Sequence, residues 1–258
     1  PGISEEALEK WFYVPTWQLE ALAFPPVFSI AEIAKTLKQD LVRQMDEADN
    51  RTYLDRLPEL NLYTMQSVEE SLETLGANSV VASQERYFRW LKETANRREH
   101  EGSELAAERS DLEINFQREL LLMDRILHQL PAVLRGELEA TEVLFPNGDT
   151  SELTWLYERS PGSRLLNRQI LASVESIHAQ LGRPLRILEI GAGTGGTTAS
   201  LMEWLPKDGH YTVTDISTVL VESSRHRFGD RSNVRFETLD IERSPLEQGY
   251  RRGQFDMI

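Results

Sequence analysis

The sequence predicts an α/β protein in which a run of helices precedes the first strands of an open, Rossmann-like parallel sheet. Three observations carry this. The apolar stretch from Leu185 to Ile190 is short, continuous and bounded by glycine, the pattern of a buried parallel strand. It runs into Gly191, Gly193, Gly195 and Gly196, four glycines within six residues, before Thr197 and Thr198 open a helix. Two further strand-like runs follow, His210 to Asp215 and Asn233 to Asp240, and each ends in a carboxylate.

Composition narrows the field. The 258 residues carry 42 acidic against 28 basic side chains, a formal net charge of −14. That balance argues against a phosphate backbone as partner, hence against a nucleic-acid substrate and toward no nucleic-acid contact. The chain has no cysteine, so it forms no disulfide, thiol nucleophile or thiolate metal site. Its five histidines are isolated from one another, and no metal site is expected. No stretch reaches the length of a membrane span, and no basic, apolar leader opens the chain. A cytoplasmic protein with no membrane contact is expected.

Taken in order, residues 1–28 are irregular apart from Trp11 to Trp17, where aromatic residues suit a strand and Pro15 confines it to an edge. Such a cluster is expected to dock on a neighbouring domain. Ser29 and Glu32 have capping-box spacing ahead of a helix with Ile33, Ala34, Leu37 and Leu41 on one face. Pro58 is expected to interrupt, with Leu62, Met65, Val68, Leu72 and Leu75 forming a second stripe up to Gly76. A third helix is expected over Gln84–Asn96, then a charged, solvated stretch from Arg97 to Arg109. Leu112–Leu130, with Phe116, Leu120, Met123 and Leu127 on one face, is the strongest helix, ended by Pro131. Phe145 to Gly148 reads as a turn and Ser151–Tyr157 as a helix. Ser160-Pro161-Gly162 then breaks the chain before a long helix over Arg164–Leu181. Gln254 to Ile258 begins a fourth strand.

The chemistry concentrates at the glycines. A strand, a glycine turn and a helix start let a ligand meet bare backbone and present free N–H groups to a negative group. The run also fits the dinucleotide pattern G-x-G-x-x-G through Gly196. Asp215 follows the glycines by about twenty residues, the place of an acid that accepts from ribose hydroxyls. Singly, Glu189, Asp215 or Asp240 serves equally as a helix cap or a solvated loop residue. Three acids at three successive strand ends point to a ligand.

The run E-x-G-x-G-x-G from Glu189 resembles motif I of class I S-adenosylmethionine (SAM) methyltransferases. That resemblance implies SAM as cofactor, with Glu189, Gly191, Gly193 and Gly195 holding its methionine portion. It places the ribose on Asp215 and the adenine end on Asp240, with Ile216 and Ile241 beside them. More specifically, "YTVTDIS", "VRFETLDIERSPLEQG" and "FDMI" resemble the embedded C-methyltransferase domains of modular type I polyketide synthases. "LPAVLRGELEATEVLFP" and "LYERSPGSRLLN" resemble the helical lid of those domains, and "WFYVPTW" a linker strand of such modules. The resemblance implies a linker strand segment at 1–28, a helical lid at 29–163 and the N-terminal half of the SAM-binding core at 164–258. Only the first half of the class I methyltransferase sheet is then present.

The reaction it implies is methyl transfer from SAM to the α-carbon of a β-ketoacyl chain. That chain rides on the phosphopantetheine of an acyl carrier protein, among neighbouring synthase domains. Tyr157 and Asn167 match lid positions facing cofactor or substrate; a helix-packing tyrosine and a helix-surface asparagine fit them as well. The family's catalytic histidine follows the strand begun by "FDMI", so no catalytic residue is assigned within this sequence. The natural protein is expected to continue past Ile258, and the chain alone to be inactive. A small-molecule O- or N-methyltransferase, a non-catalytic methyltransferase-like domain and a NAD-dependent enzyme are the competing readings.

Overall fold

Ser29 starts the first helix, α1 (Ile30–Met45), by accepting the Glu32 N–H on its Oγ at 3.3 Å, the N-cap half of the expected capping box. The computed structural model describes residues 29–45, 48–75, 79–97, 108–229 and 231–258. The strand expected at Trp11 to Trp17 and most of the charged stretch before Arg109 lie outside them. After α1 come α2 (Ala48–Glu73), α3 (Glu85–Arg97) and α4 (Arg109–Leu134). Tyr53 and Leu60 of α2 pack on Leu112, Phe116 and Leu120 of α4, with the Tyr53 and Phe116 rings 4.9 Å apart. Val68, Leu72, Leu91, Leu130 and Leu134 form a second cluster that brings in α3.

Both prolines expected to end helices lie inside them. Helix α2 runs through Pro58 and α4 through Pro131. Proline removes one helical N–H and crowds the preceding turn, at a cost of about 3 kcal/mol. Here apolar side chains on both sides of each proline are buried on one continuous face, Tyr53 and Leu60 around the first, Leu130 and Leu134 around the second. Burying such side chains stabilises by about 1.5–3 kcal/mol each, enough to hold the helix through the defect. Helix α4 ends instead at Leu134, closed by Gly136 two residues on. There the Glu137 N–H reaches the Ala132 carbonyl at 2.9 Å and the Gly136 N–H the Val133 carbonyl at 3.0 Å, a Schellman closure.

Short α5 (Ala140–Leu144) and a turn at Pro146–Gly148 lead to α6 (Ser151–Arg159) and α7 (Pro161–Leu181). Helix α7 begins three residues before the expected Arg164. Ser160 caps it by accepting the Ser163 N–H at 3.3 Å, and Pro161 stands where a missing N–H costs nothing. The Ser160 hydroxyl also donates to the Leu156 carbonyl at 2.7 Å, tying the end of α6 to the start of α7. Helix α7 packs on α1, α2 and α6, while Leu171, Val174, Ile177 and Leu181 reach the sheet.

The sheet is parallel, in order β1 (Arg186–Ile190), β2 (His210–Asp215), β3 (Val234–Thr238). Helices α8 (Gly196–Trp204) and α9 (Thr218–Phe228) join the strands and cover one face together with α7. Leu185, Ile187, Tyr211, Val213, Val234 and Phe236 meet Val174, Leu201, Met202 and Val221 there. On the other face Leu188 packs with Leu239, Tyr250 and Phe255. Register pairs Ile190 with Thr214 and Asp215 with Thr238, so the strands end together along one edge. Among the described residues no helix is long and apolar enough to cross a membrane.

The fourth strand expected from Gln254 forms only one bridge, Ile187 to Met257, beside β1. The chain turns at Gly253, and the Asp256 carboxylate takes the Arg186 N–H at 3.0 Å, replacing a ladder bond with a side-chain one. Asp256 receives paired hydrogen bonds from the Arg186 and Arg183 guanidiniums at 2.8–3.0 Å, which hold its carboxyl well below the usual carboxylate range. A depressed folded value means stability present above the ordinary carboxylate pKa and lost as pH falls toward the folded one. Asp256→Asn is therefore expected to lower the melting temperature at pH 7. The gap from the parent chain should narrow below about pH 4 in thermal scans.

Candidate functional site

The loop after β1 contains two kinds of glycine. A Cβ on Gly195 would stand 2.8 Å from the Phe228 ring, and one on Gly196 would stand 2.3 Å from the Tyr157 carbonyl oxygen. These two glycines serve the protein's own packing. A Cβ on Gly191 would meet nothing within 4 Å, and one on Gly193 only the Gly191 carbonyl at 3.9 Å. Gly193 also holds φ +58°, a conformation that side chains disfavour. The first two glycines thus present bare backbone to open space, while the last two seat the loop against α6 and α9.

Asp215 closes the loop from inside. It is 8% exposed; its Oδ2 accepts the Gly193 N–H and its Oδ1 the Ser217 N–H, both at 2.8 Å. The Ala192 N–H bonds the Thr214 carbonyl at 2.9 Å, so strand pairing continues one step into the glycines. Asp240 lies two residues past β3. Its Oδ1 accepts the Glu242 N–H at 3.0 Å, and the Gln248 amide brackets its backbone with bonds of 2.9 and 2.8 Å. Its Oδ2 has no partner among the described residues. Beside these acids Ile216 and Ile241 are 65% and 66% exposed, and with Ile190 at the end of β1 they put large apolar side chains on this edge.

Glu189 sits deeper. Its Oε2 accepts from the Thr198 hydroxyl at 2.6 Å and from the Tyr211 hydroxyl. Burial pushes the Glu189 carboxyl up, and nearby Asp215 adds to this, while the two hydroxyl donors pull it down. Burial and Glu189 together raise the Tyr211 phenol. The carboxylate braces the first turn of α8 and strand β2 against β1, and its Oε1 carries no bond to a described residue.

Asn167 is 6% exposed, which corrects the helix-surface alternative. Its Nδ2 donates to the Tyr157 carbonyl and its Oδ1 accepts from the Thr197 hydroxyl, both at 2.9 Å. The end of α6 thereby rests on α8, which is possible only because residue 196 has no Cβ. The Tyr157 side chain is 55% exposed. Thr198, Tyr211, Glu158 and Arg227 also join the site, and none of them is given a site role by the sequence reading. Tyr211 stands two residues before the partner of Glu189 on the neighbouring strand, a relation set by register, which no motif prints. Among the described residues no group of three His, Cys, Asp or Glu side chains can hold a metal ion.

Residues 188–258 match the profile of a family described as Methyltransferase domain. A reducing polyketide synthase from Botryotinia fuckeliana is 38% identical over 142 residues, 54% of this chain and 6% of the synthase. The chain thus spans a small fraction of the length of that relative. Among solved structures, the CurJ carbon methyltransferase has the same fold, with TM-score 0.74 and 24% identity over 88% of this chain and 70% of that one. The trans-methyltransferase CalH in complex with SAH is also similar, at TM-score 0.52 and 25% identity over 80% and 62% of the two chains.

Two outcomes are expected. Gly196→Ala drives a methyl into the Tyr157 peptide and should cost about 1–3 kcal/mol in urea unfolding. Glu189→Gln keeps acceptors for Thr198 and Tyr211 but removes a charge whose burial is unfavourable. A raised folded pKa means the carboxylate's stability contribution falls as pH rises from its ordinary pKa through the folded value. Glu189→Gln should therefore raise the melting temperature at pH 8, with the gain fading toward pH 4.

Proposed function

We propose that this chain, which carries a methyltransferase domain of the kind embedded in polyketide synthases, holds SAM at its glycine loop for methylation of a carrier-bound acyl chain. The target in this reading is the α-carbon of a β-ketoacyl thioester on an acyl carrier protein, with neighbouring synthase domains completing the assembly. Residues 29–163 serve as a lid and 164–258 as the cofactor-binding core. One observation carries the reading: open-facing glycines and two strand-end carboxylates share one edge of a parallel sheet, within the stretch that matches the methyltransferase profile. Likeness to a trans-methyltransferase structure that contains SAH supports the choice of cofactor.

The residues fit such a group. The Thr194 hydroxyl is buried in the loop with no partner among the described residues, and a buried polar atom of this kind calls for a ligand or water. Gly191 and Gly193 leave space that a Cβ would fill. Glu189, with no cation paired to it among the described residues, suits the ammonium of a bound amino acid through its remaining oxygen. Asp215 retains lone pairs for ribose hydroxyls beyond its two backbone bonds. Asp240 offers Oδ2 to an amino group, while Ile216 and Ile241 present apolar surface to a flat ring. When bound, SAM supplies a methyl group already activated by its sulfonium charge. The chain's contribution is to bind and align it, and no catalytic base is assigned among these carboxylates. A non-catalytic relative would be expected to carry a damaged loop, and this loop retains its glycines.

Titration calorimetry tests the reading. SAM and S-adenosylhomocysteine should bind the chain and NAD should not compete. Asp215→Ala should weaken both ligands alike, by about 1.5–3 kcal/mol or roughly one to two decades, since both share the ribose. Binding of NAD in preference to S-adenosylhomocysteine would overturn it.

A further inference from the structure

Arg227, at the last turn of α9, lies outside every motif in the sequence and touches the loop from its far side. Its Nη1 donates to the Thr194 carbonyl at 3.1 Å, and its Nη2 pairs with Oε2 of Glu158 on α6. The guanidinium lies 4.7 Å above the Phe228 ring, the ring that fills the space a Cβ on Gly195 would need. The pair is largely covered, with 34% of the Arg227 side chain and 18% of the Glu158 side chain exposed. Arg159 also faces Glu158, at 3.7 Å, but is itself 71% exposed. A planar guanidinium can serve a carbonyl and a carboxylate at once in fixed geometry, which an ammonium does less well.

The Thr194 carbonyl belongs to the peptide whose N–H, on Gly195, bonds the Ala192 carbonyl at 2.9 Å. A cationic donor on one end of a peptide strengthens the bond made by the other. Arg227 therefore tightens the Ala192–Gly195 turn that carries Gly193. Glu158, one residue beyond the Tyr157 peptide seated on Gly196, keeps the guanidinium on its carbonyl. We propose that Arg227 is a positioning residue for the cofactor loop, and that Glu158 couples the seating of α6 to the affinity of that loop through it. The proposal deepens, and rests on, the assignment of the glycine loop to SAM.

The test is a double-mutant cycle with Glu158→Gln and Arg227→Gln on this chain. It is read by S-adenosylhomocysteine affinity in calorimetry and by amide hydrogen exchange of residues 193–198 without ligand. Each single variant should weaken the ligand about fivefold to tenfold, although neither side chain is placed on it. The double variant should be no weaker than Arg227→Gln, because Glu158 acts through Arg227. Loop amides should exchange faster in all three while those of β1 to β3 keep their protection. Additive losses, or unchanged affinity with unchanged loop exchange, would overturn the proposal. A general loss of protection in Arg227→Gln would shift the decision to the milder Glu158→Gln. If the parent chain fails to bind S-adenosylhomocysteine, the cofactor reading falls, and the loop-exchange comparison still decides the role of Arg227.

Discussion

The seating of the Tyr157 peptide on Gly196 is the contact on which the site depends. A methyl group at residue 196 would lie 2.3 Å from the Tyr157 carbonyl oxygen, well inside van der Waals contact. With hydrogen there, the last turn of α6 comes down onto the first turn of α8, and two other links become possible. Asn167 reaches both helices, and Glu158 comes within reach of Arg227. The glycine loop is then held from both sides, by Asp215 within the sheet edge and by α6 and α9 outside it.

Two well-covered carboxylates show opposite solutions to the cost of burying charge. Asp256 is surrounded by two arginines and its backbone partner, so its ionised form is stabilised and its work is to hold the last segment beside β1. Among the described residues Glu189 has only hydroxyl donors, and its ionised form is disfavoured by burial. A buried acid without a cation is a poor structural device, since breaking even a good buried pair leaves a costly charge behind.

The helical region makes a different point. Pro58 and Pro131 are local stop signals, and both are overridden by faces that stay buried across the defect. At residues 254–258, which read as the start of a strand, one bridge to β1 forms, and the Asp256 carboxylate takes the Arg186 N–H beside it. Local propensity decided neither outcome.

By itself the sequence determined the strand–glycine–helix unit, the two following strands with their terminal acids, and the helical character of most of the described residues from 29 to 181. These are written in local periodicity and in residues with few conformational options, glycine above all. The tertiary structure alone decided how the glycines divide their labour, for identical residues at 193 and 196 differ in what faces them and in backbone conformation, Gly193 alone of the two having a positive φ. It decided that Asn167 is a buried strut, since helical position does not reveal which neighbour will cover it. Tyr211, Thr198, Glu158 and Arg227 joined the site through strand register and helix docking. Those relations are set by burial summed over many distant residues, and no short pattern can carry them.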